Sequence, residues 1–281
     1  MALEKVRNIL ADADKHQSSV IAFDAMDYPT ISSAIFGAEA AHRPVIVMLY
    51  PAMDRYMPLE AFASMVKNLA AKVKVPVGLH LDHCSNYDYI VNAVKCGFTS
   101  VMADGSMLPF DQNVEFTSSV VKAARIFDVD VEGELGHVGR GTNTDDYTVE
   151  ESYTRPEDAA KFADITGVAS LAIAIGSAHG VYKSTPKLSI ERLDEINKAT
   201  DIPLVLHGGS GIPHDQLAEA FKKGINKFNV GTEFFKLNQT AAREYFNLTP
   251  EPGTSFDHID YVQRKLQDYI EQKILLTTYE V

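Results

Sequence analysis

The segment Val77-Gly78-Leu79-His80-Leu81-Asp82-His83-Cys84 is an apolar run that stops abruptly in a carboxylate and an imidazole. Its length and its β-branched opening suit a strand buried on both faces. In a parallel α/β barrel the chemistry sits at the carboxyl ends of the strands. Asp82 beside His83 at such an end suggests a proton-transfer group next to a ligand of a Lewis acid. Alone, the pair reads more readily as a helix cap and a polar rim residue. Its meaning therefore depends on what the other strand ends carry.

Outward from this segment, strand-like and helix-like stretches alternate along the chain. The pattern predicts strands over 20–23, 44–49, 75–83, 100–103, 129–135, 170–175, 203–206 and 225–230. The helices after them are expected over about 30–41, 59–72, 87–95, 112–126, 156–165, 190–198, 214–222 and 233–246, with a last helix over about 261–274. Ser189 is a usable cap for the helix at Ile190. Eight strand-helix units predict an α/β fold, a (β/α)8 TIM barrel. One domain over 1–281 with extra terminal helices is expected. An open doubly wound sheet would want a glycine fingerprint after its first strand, and Asp24-Ala25-Met26-Asp27 is not one.

The chain has 281 residues, 46% of them hydrophobic, enough to bury a sizeable core. Its net charge of −12 argues against nucleic acid or an anionic membrane as a partner, but leaves a small anionic substrate open. Cys84 and Cys96 are the only cysteines and form no disulfide framework, which fits a reducing compartment. Residues 1–16 read as an amphipathic helix rather than a signal peptide, and no stretch suits a bilayer span. A soluble cytoplasmic protein is expected.

The predicted strand ends carry Asp24, Asp82 with His83, Asp104, Glu134, His179, His207 and Asn229. Any one of these histidines reads more readily as a hydrogen-bonded rim residue. Three at equivalent strand ends favour a zinc site with an open position. Asp104 and Glu134 are placed to orient the imidazoles or to hold a second cation, or else to cap the loops. His207-Gly208-Gly209-Ser210-Gly211 and Asn229-Val230-Gly231-Thr232 precede predicted helices, where backbone N–H groups can meet an anion. Gly180 and Lys183 lie in a third such loop. The alternative for all three is tight turns. His80 is expected inside the barrel as a hydrogen-bond partner, Cys84 in packing and Cys96 in the core.

These residues lie in motifs that resemble class II (zinc-dependent) fructose-bisphosphate and tagatose-bisphosphate aldolases. The motifs are LHLDH (79–83), SVMADGSMLPFDQN (100–113), VEGELGHVG (131–139), AIGSAHGVYKSTPKL (174–188), LVLHGGSGIP (204–213) and KFNVGTE (227–233). The resemblance covers nearly the whole chain from Val20 onward. It implies that His83, His179 and His207 bind Zn2+, which polarises the carbonyl of dihydroxyacetone phosphate. It implies that Asp82 exchanges a proton with the hydroxyl at the cleaved bond. Gly180, Lys183, Gly208, Gly209, Ser210, Asn229, Val230, Gly231 and Thr232 would hold the triose phosphate, with a monovalent cation (Na+ or K+) nearby. Asp104 and Glu134 match acids near an alternate metal position. A homodimer or homotetramer is implied.

The departures bear on the substrate. The family's first strand usually ends Ala-Phe-Asn, whereas this chain has Ala22-Phe23-Asp24. The second strand leads into Tyr50-Pro51-Ala52-Met53 rather than small polar residues. Arg140-Gly141-Thr142-Asn143 stands where a Gly-Gly pair and a glutamate are usual, with Asp145 and Asp146 the nearest acids. Phe256-Asp257-His258-Ile259 stands where many members have Asp-Pro-Arg. A carboxylate at Asp24 would repel a distal phosphate, and the missing arginine removes its partner, although Arg55 or Arg140 offers a replacement charge. A metal-dependent sugar-phosphate isomerase or epimerase is a second reading, less well suited by GSAHG and HGGSG. A non-catalytic sugar-phosphate sensor is a third, opposed by Asp82 and the three histidines.

Overall fold

The computed structural model describes residues 3–136, 138–139, 142, 152–248 and 253–278. Eight strands close in sequence order into a parallel barrel. They are β1 (Val20–Asp24), β2 (Val45–Leu49), β3 (Val77–Leu81), β4 (Ser100–Ala103), β5 (Asp130–Leu135), β6 (Ser170–Ile173), β7 (Leu204–Leu206) and β8 (Ile225–Val230). Closure is made by β8 on β1, with Val20 opposite Lys227 and Ala22 opposite Asn229. Before the barrel comes α1 (Val6–Lys15). Around it lie α2 (Tyr28–Ala41), α3 (Leu59–Ala70), α4 (Tyr87–Cys96), α5 (Phe110–Arg125), α6 (Pro156–Thr166), α7 (Ile190–Ala199), α8 (His214–Lys222), α9 (Thr232–Leu248) and α10 (Ser255–Ile274). The architecture is the (β/α)8 barrel that the alternation of strands and helices predicts.

Outward-facing strand residues and the inner faces of the helices form the main apolar core. Phe62 and Phe98 stack there at 6.2 Å, and Phe23 meets Phe234 at 5.4 Å. Inside the barrel a second cluster joins Val6, Ile9, Leu10 and Ala13 of α1 to Val20, Ala22, Ile46 and Met48. Helix α1 therefore stoppers the end remote from the strand carboxyl termini. Arg7 pins it, donating to Asp130 at the start of β5 at 2.8 Å.

Above this stopper the barrel interior departs from the apolar strands expected. Glu132 of β5 and Lys227 of β8 are fully buried and paired, with Lys227 Nζ 2.9 and 3.1 Å from the two carboxylate oxygens. His80 and Ser100 bond across β3 and β4 at 2.8 Å in the same layer. A charge can stand inside only where partners satisfy it, and these do. The layer is the floor on which the strand-end residues rest.

Helices α2 and α10 begin earlier than their apolar periodicity suggests, at local capping boxes. Asp27 and Thr30 form a reciprocal capping box at α2, and Thr254 and Asp257 do so at α10. Ser189 caps α7 as expected.

Candidate active site

At the carboxyl ends of the strands lies a cavity of about 760 Å³. Asp24, Asp82, His83, Asp104, Glu134, His179, Gly180, Gly208, Gly209, Ser210, Asn229, Gly231 and Thr232 all line it. His207 lies buried just beneath. Two expected residues stand elsewhere. The Val230 side chain belongs to the apolar core. Lys183 lines an adjoining cavity of about 490 Å³, which shares Gly180, Ser210 and Thr232 with the first. Arg140, Asp145 and Asp146 lie outside the described residues. Arg55 lines neither cavity and is engaged with the Tyr56 ring at 4.5 Å.

Asp82 and His83 are neighbours in sequence, and neighbours in an extended strand face opposite ways. Both nevertheless face the mouth, because β3 ends at Leu81 and His83 takes φ 41°. A non-glycine residue in this left-handed region is held by its surroundings, a feature frequent at functional sites. The His83 N–H is directed at Met102 Sδ at 3.3 Å.

The three imidazoles converge. His83 lies 4.6 Å from His179 and 4.5 Å from His207, centroid to centroid, with rings nearly perpendicular. One ligand atom from each falls within 4.8 Å of the others, and His83, Asp104 and Glu134 form a second such group. The outer nitrogens of two rings are fixed by carboxylates: His83 Nδ1 lies 2.9 Å from Asp104, and His207 Nε2 lies 2.9 Å from Glu132. His83 Nε2 and His207 Nδ1 then face each other at 2.9 Å. Two imidazole lone pairs at that distance need a proton or a cation between them. Carboxylates outside and converging nitrogens inside form the donor set of a histidine metal site.

The electrostatics agree. Burial alone would lower the His83 pKa, but Asp82, Asp104 and Glu134 outweigh it and push it up to about 10. His207 goes the other way, held well below the usual range by burial and the His83 charge. Without a metal, His83 thus keeps the proton that bridges the two rings. Burial pushes Glu134 up to about 8, the like charge of Asp104 adding to it. One oxygen of Glu134 has no hydrogen-bond partner, and lies 3.7 Å from His83 Nδ1 and 3.5 Å from His207 Nδ1.

Asp82 is buried, and burial raises its pKa. Asn229 donates to it at 3.0 Å, which fixes the carboxylate orientation. Asp24 is partly buried, with its pKa well above the ordinary value through burial and the neighbouring Asp82 charge. Its side chain occupies the room left by Gly231, where a Cβ would lie 2.4 Å from Asp24 Oδ2. Position 231 is thus open to glycine because the carboxylate at position 24 takes its space. Tyr182 braces the two glycine loops, accepting from the Ala178 N–H and donating to the Gly208 carbonyl, each at 2.7 Å.

Sequence reasoning missed Glu132 and Lys227. The signal was present as charged residues at alternate positions inside otherwise apolar strands, Asp-Val-Glu-Gly-Glu and Asn-Lys-Phe-Asn. His80 lies inside the barrel and Cys84 is packed, as expected, while Cys96 is only half-buried.

A (β/α)8 barrel with this cluster at its strand ends has the layout of a barrel enzyme that moves protons beside a Lewis acid. The model of the class II fructose-bisphosphate aldolase family matches residues 4–278. The chain belongs to that family and is a lyase of the aldolase type. Among solved structures, the YdjI aldolase from Escherichia coli K12 is 31% identical with a TM-score of 0.87, covering 98% of this chain and 97% of that one. A fructose-bisphosphate aldolase from Campylobacter jejuni shares the fold at 21% identity and a TM-score of 0.84, covering 96% and 93%.

Proposed function

We propose that this enzyme catalyses zinc-dependent, reversible aldol cleavage of a ketose phosphate to dihydroxyacetone phosphate and an aldehyde that carries no phosphate of its own. The observation that carries the aldol reading is the convergence of His83, His179 and His207 beside Asp82. Zn2+ held by the three imidazoles would supply the Lewis acidity that polarises the triose carbonyl.

The rest is done by the chain. Asp82, its pKa raised by burial, takes the proton of the hydroxyl at the bond to be broken. The electron pair of that carbon–carbon bond passes toward the triose carbonyl, the aldehyde departs, and the triose carbon left electron-rich takes up a proton from water to give dihydroxyacetone phosphate. In condensation Asp82 returns the proton. Asn229, donating to Asp82 Oδ1, keeps the carboxylate in place. Gly180, Gly208 to Ser210 and Gly231 to Thr232 border the triose phosphate, with Lys183 supplying positive charge from the adjoining cavity.

The acceptor side supports an unphosphorylated aldehyde. Asp24, Asp82, Asp104 and Glu134 line the main cavity, and among the described residues no lysine or arginine does. A lining without a cationic partner among the described residues suits hydroxyl groups and leaves a second phosphate dianion unpaired. A Na+ or K+ near the triose phosphate and a homodimeric or homotetrameric assembly complete the reading.

The test is a coupled assay of dihydroxyacetone phosphate release, with and without chelator, on four ketoses: fructose 1,6-bisphosphate, tagatose 1,6-bisphosphate and the corresponding 1-phosphates. Chelator-sensitive release from the 1-phosphates alone is expected. Equally fast release from a bisphosphate would refute the acceptor reading. No release from any of them by zinc-loaded protein would refute the substrate class.

A further inference from the structure

Helix α10 lies outside the cavity, yet two of its side chains reach the loops that border it. Lys273 is buried, a costly place for an ammonium, and its Nζ lies 2.5 Å from Glu233 Oε1. The Tyr269 hydroxyl donates to the same oxygen. Burial, with the Glu233 charge beside it, raises the phenol's pKa and keeps it a donor. Glu233 sits in the first turn of α9, and its backbone N–H donates to Ser210 Oγ at 3.2 Å. Lys273 also lies over the Phe228 ring at 5.7 Å. That ring fills the space beside Gly209, where a Cβ would meet it at 2.0 Å. One buried lysine therefore touches the 208–211 loop by two routes, through Glu233 to Ser210 and through Phe228 to Gly209.

The arrangement answers an electrostatic problem. Glu233 lines the smaller cavity together with Lys183 and Lys236, next to Ser210 and Thr232. A free carboxylate there would oppose a phosphate and offset the attraction of the α9 N-terminus for an anion. Paired to Lys273 and Tyr269, it is turned toward α10 and its charge is matched.

We propose that Lys273 is a positioning residue for the phosphate end of the substrate, acting by neutralising Glu233 where the start of α9 meets the 208–211 loop. This rests on the proposed triose phosphate site and adds to it a determinant on the last helix of the chain.

The test compares wild type, Lys273→Met, Lys273→Arg and the double variant Glu233→Gln/Lys273→Met, all zinc-loaded. The readouts are the inhibition constant of inorganic phosphate, and KM and kcat for the ketose phosphate that the wild type cleaves. Lys273→Met should raise the phosphate inhibition constant and KM by roughly tenfold with kcat little changed, as expected for an uncompensated charge near a dianion. Lys273→Arg should retain most of the wild-type affinity. The double variant removes both charges, leaves a neutral amide at position 233 able to accept from Tyr269, and should restore phosphate affinity. It also leaves no unpaired buried charge, so it keeps the test open if the single variant folds poorly. A double variant as weak as Lys273→Met would overturn the inference, since a purely structural lysine predicts that result. So would a folded Lys273→Met protein with wild-type phosphate affinity. Indifference of the wild type itself to phosphate would overturn the triose phosphate site together with this inference.

Discussion

Replacing Asp24 by Asn keeps the shape of the side chain and removes one negative charge from the acceptor end of the cavity. The Asp24 carboxylate stands against Gly231, and its Oδ1 has no hydrogen-bond partner. The variant therefore breaks no existing bond to that atom. For a distal phosphate dianion about 8 Å away, in a wet cavity with an effective dielectric of about 40, the relieved repulsion is about 2 kcal/mol. That corresponds to roughly thirtyfold in kcat/KM for a bisphosphate. A 1-phosphate, with a neutral distal end, should change by less than about threefold. The pH dependence is a sharper signature. Burial and Asp82 raise the Asp24 pKa, so the proton stays on to higher pH than in an ordinary aspartate. Repulsion exists only in the ionised form, so the variant's advantage on a bisphosphate should grow as pH rises through the folded-state pKa. Stability follows the same direction. The folded protein binds this proton more tightly than the unfolded chain, so the contribution is fully present below about pH 4, the unfolded value, and is lost as pH rises toward the folded one. Asp24→Asn should therefore melt higher than wild type at pH 8, with the difference vanishing toward pH 4. The assay is dihydroxyacetone phosphate release from paired 1-phosphate and 1,6-bisphosphate substrates between pH 6 and 9, with melting curves in the same buffers. A variant whose advantage on the bisphosphate does not grow with rising pH, or that gains as much on the 1-phosphate, would refute the reasoning.

Three further outcomes are expected. Asp82→Asn should lower kcat by about 10²–10⁴-fold while metal content stays stoichiometric, because a general acid–base group is lost and the imidazoles remain; metal analysis alongside kinetics checks it. Metal loading should weaken as pH falls, because His83 carries a proton up to about pH 10 in the metal-free protein and binding must displace it. Calorimetry in buffers of different ionisation enthalpy should report proton release on Zn2+ binding between pH 6 and 9. Lys227→Met should cost about 3–5 kcal/mol of stability, since it strands the buried Glu132 charge. It should also lower zinc affinity measured by chelator competition, through Glu132 and His207. A paired Glu132→Gln/Lys227→Met protein should recover much of the stability.

What could be read from the sequence follows how local each determinant is. The barrel was legible because strands buried on both faces announce themselves as short apolar runs, and eight of them alternate with amphipathic stretches. Asp82, His83, His179 and His207 were legible because the barrel sends every strand end to one mouth. The later starts expected for α2 and α10 came from weighing apolar periodicity over local hydrogen bonding; Asp27-x-x-Thr30 and Thr254-x-x-Asp257 already held the true boundaries. Glu132 and Lys227 were not legible, because a charge inside a strand has meaning only through its partner, and theirs is 95 residues away. Lys183 shows the same limit at shorter range. Its place in the sequence beside Gly180 put it at the phosphate, but which cavity it borders depends on how the 180–186 loop runs between them.

The polar floor explains why the site can concentrate so much charge. Asp82, Asp104, Glu134 and Glu132 surround three imidazoles, and four carboxylates in so small a volume repel one another. Lys227 offsets the deepest of them without entering the cavity. Asp104 and Glu132 each spend an oxygen on a histidine nitrogen that points away from the centre. In the proposed reading the converging imidazoles would hold the dication, and Asp82, held by Asn229, would stay outside that ligand set. That division would separate metal binding from proton transfer in one cluster. On that reading the outer carboxylates would set the orientation and basicity of the imidazoles, while Asp82 would be left for the substrate hydroxyl. A substitution at Asp104 should therefore act first on metal affinity, and one at Asp82 on turnover. A loss of metal from Asp82→Asn as large as that from Asp104→Asn would show that the two roles are not separated as the geometry indicates.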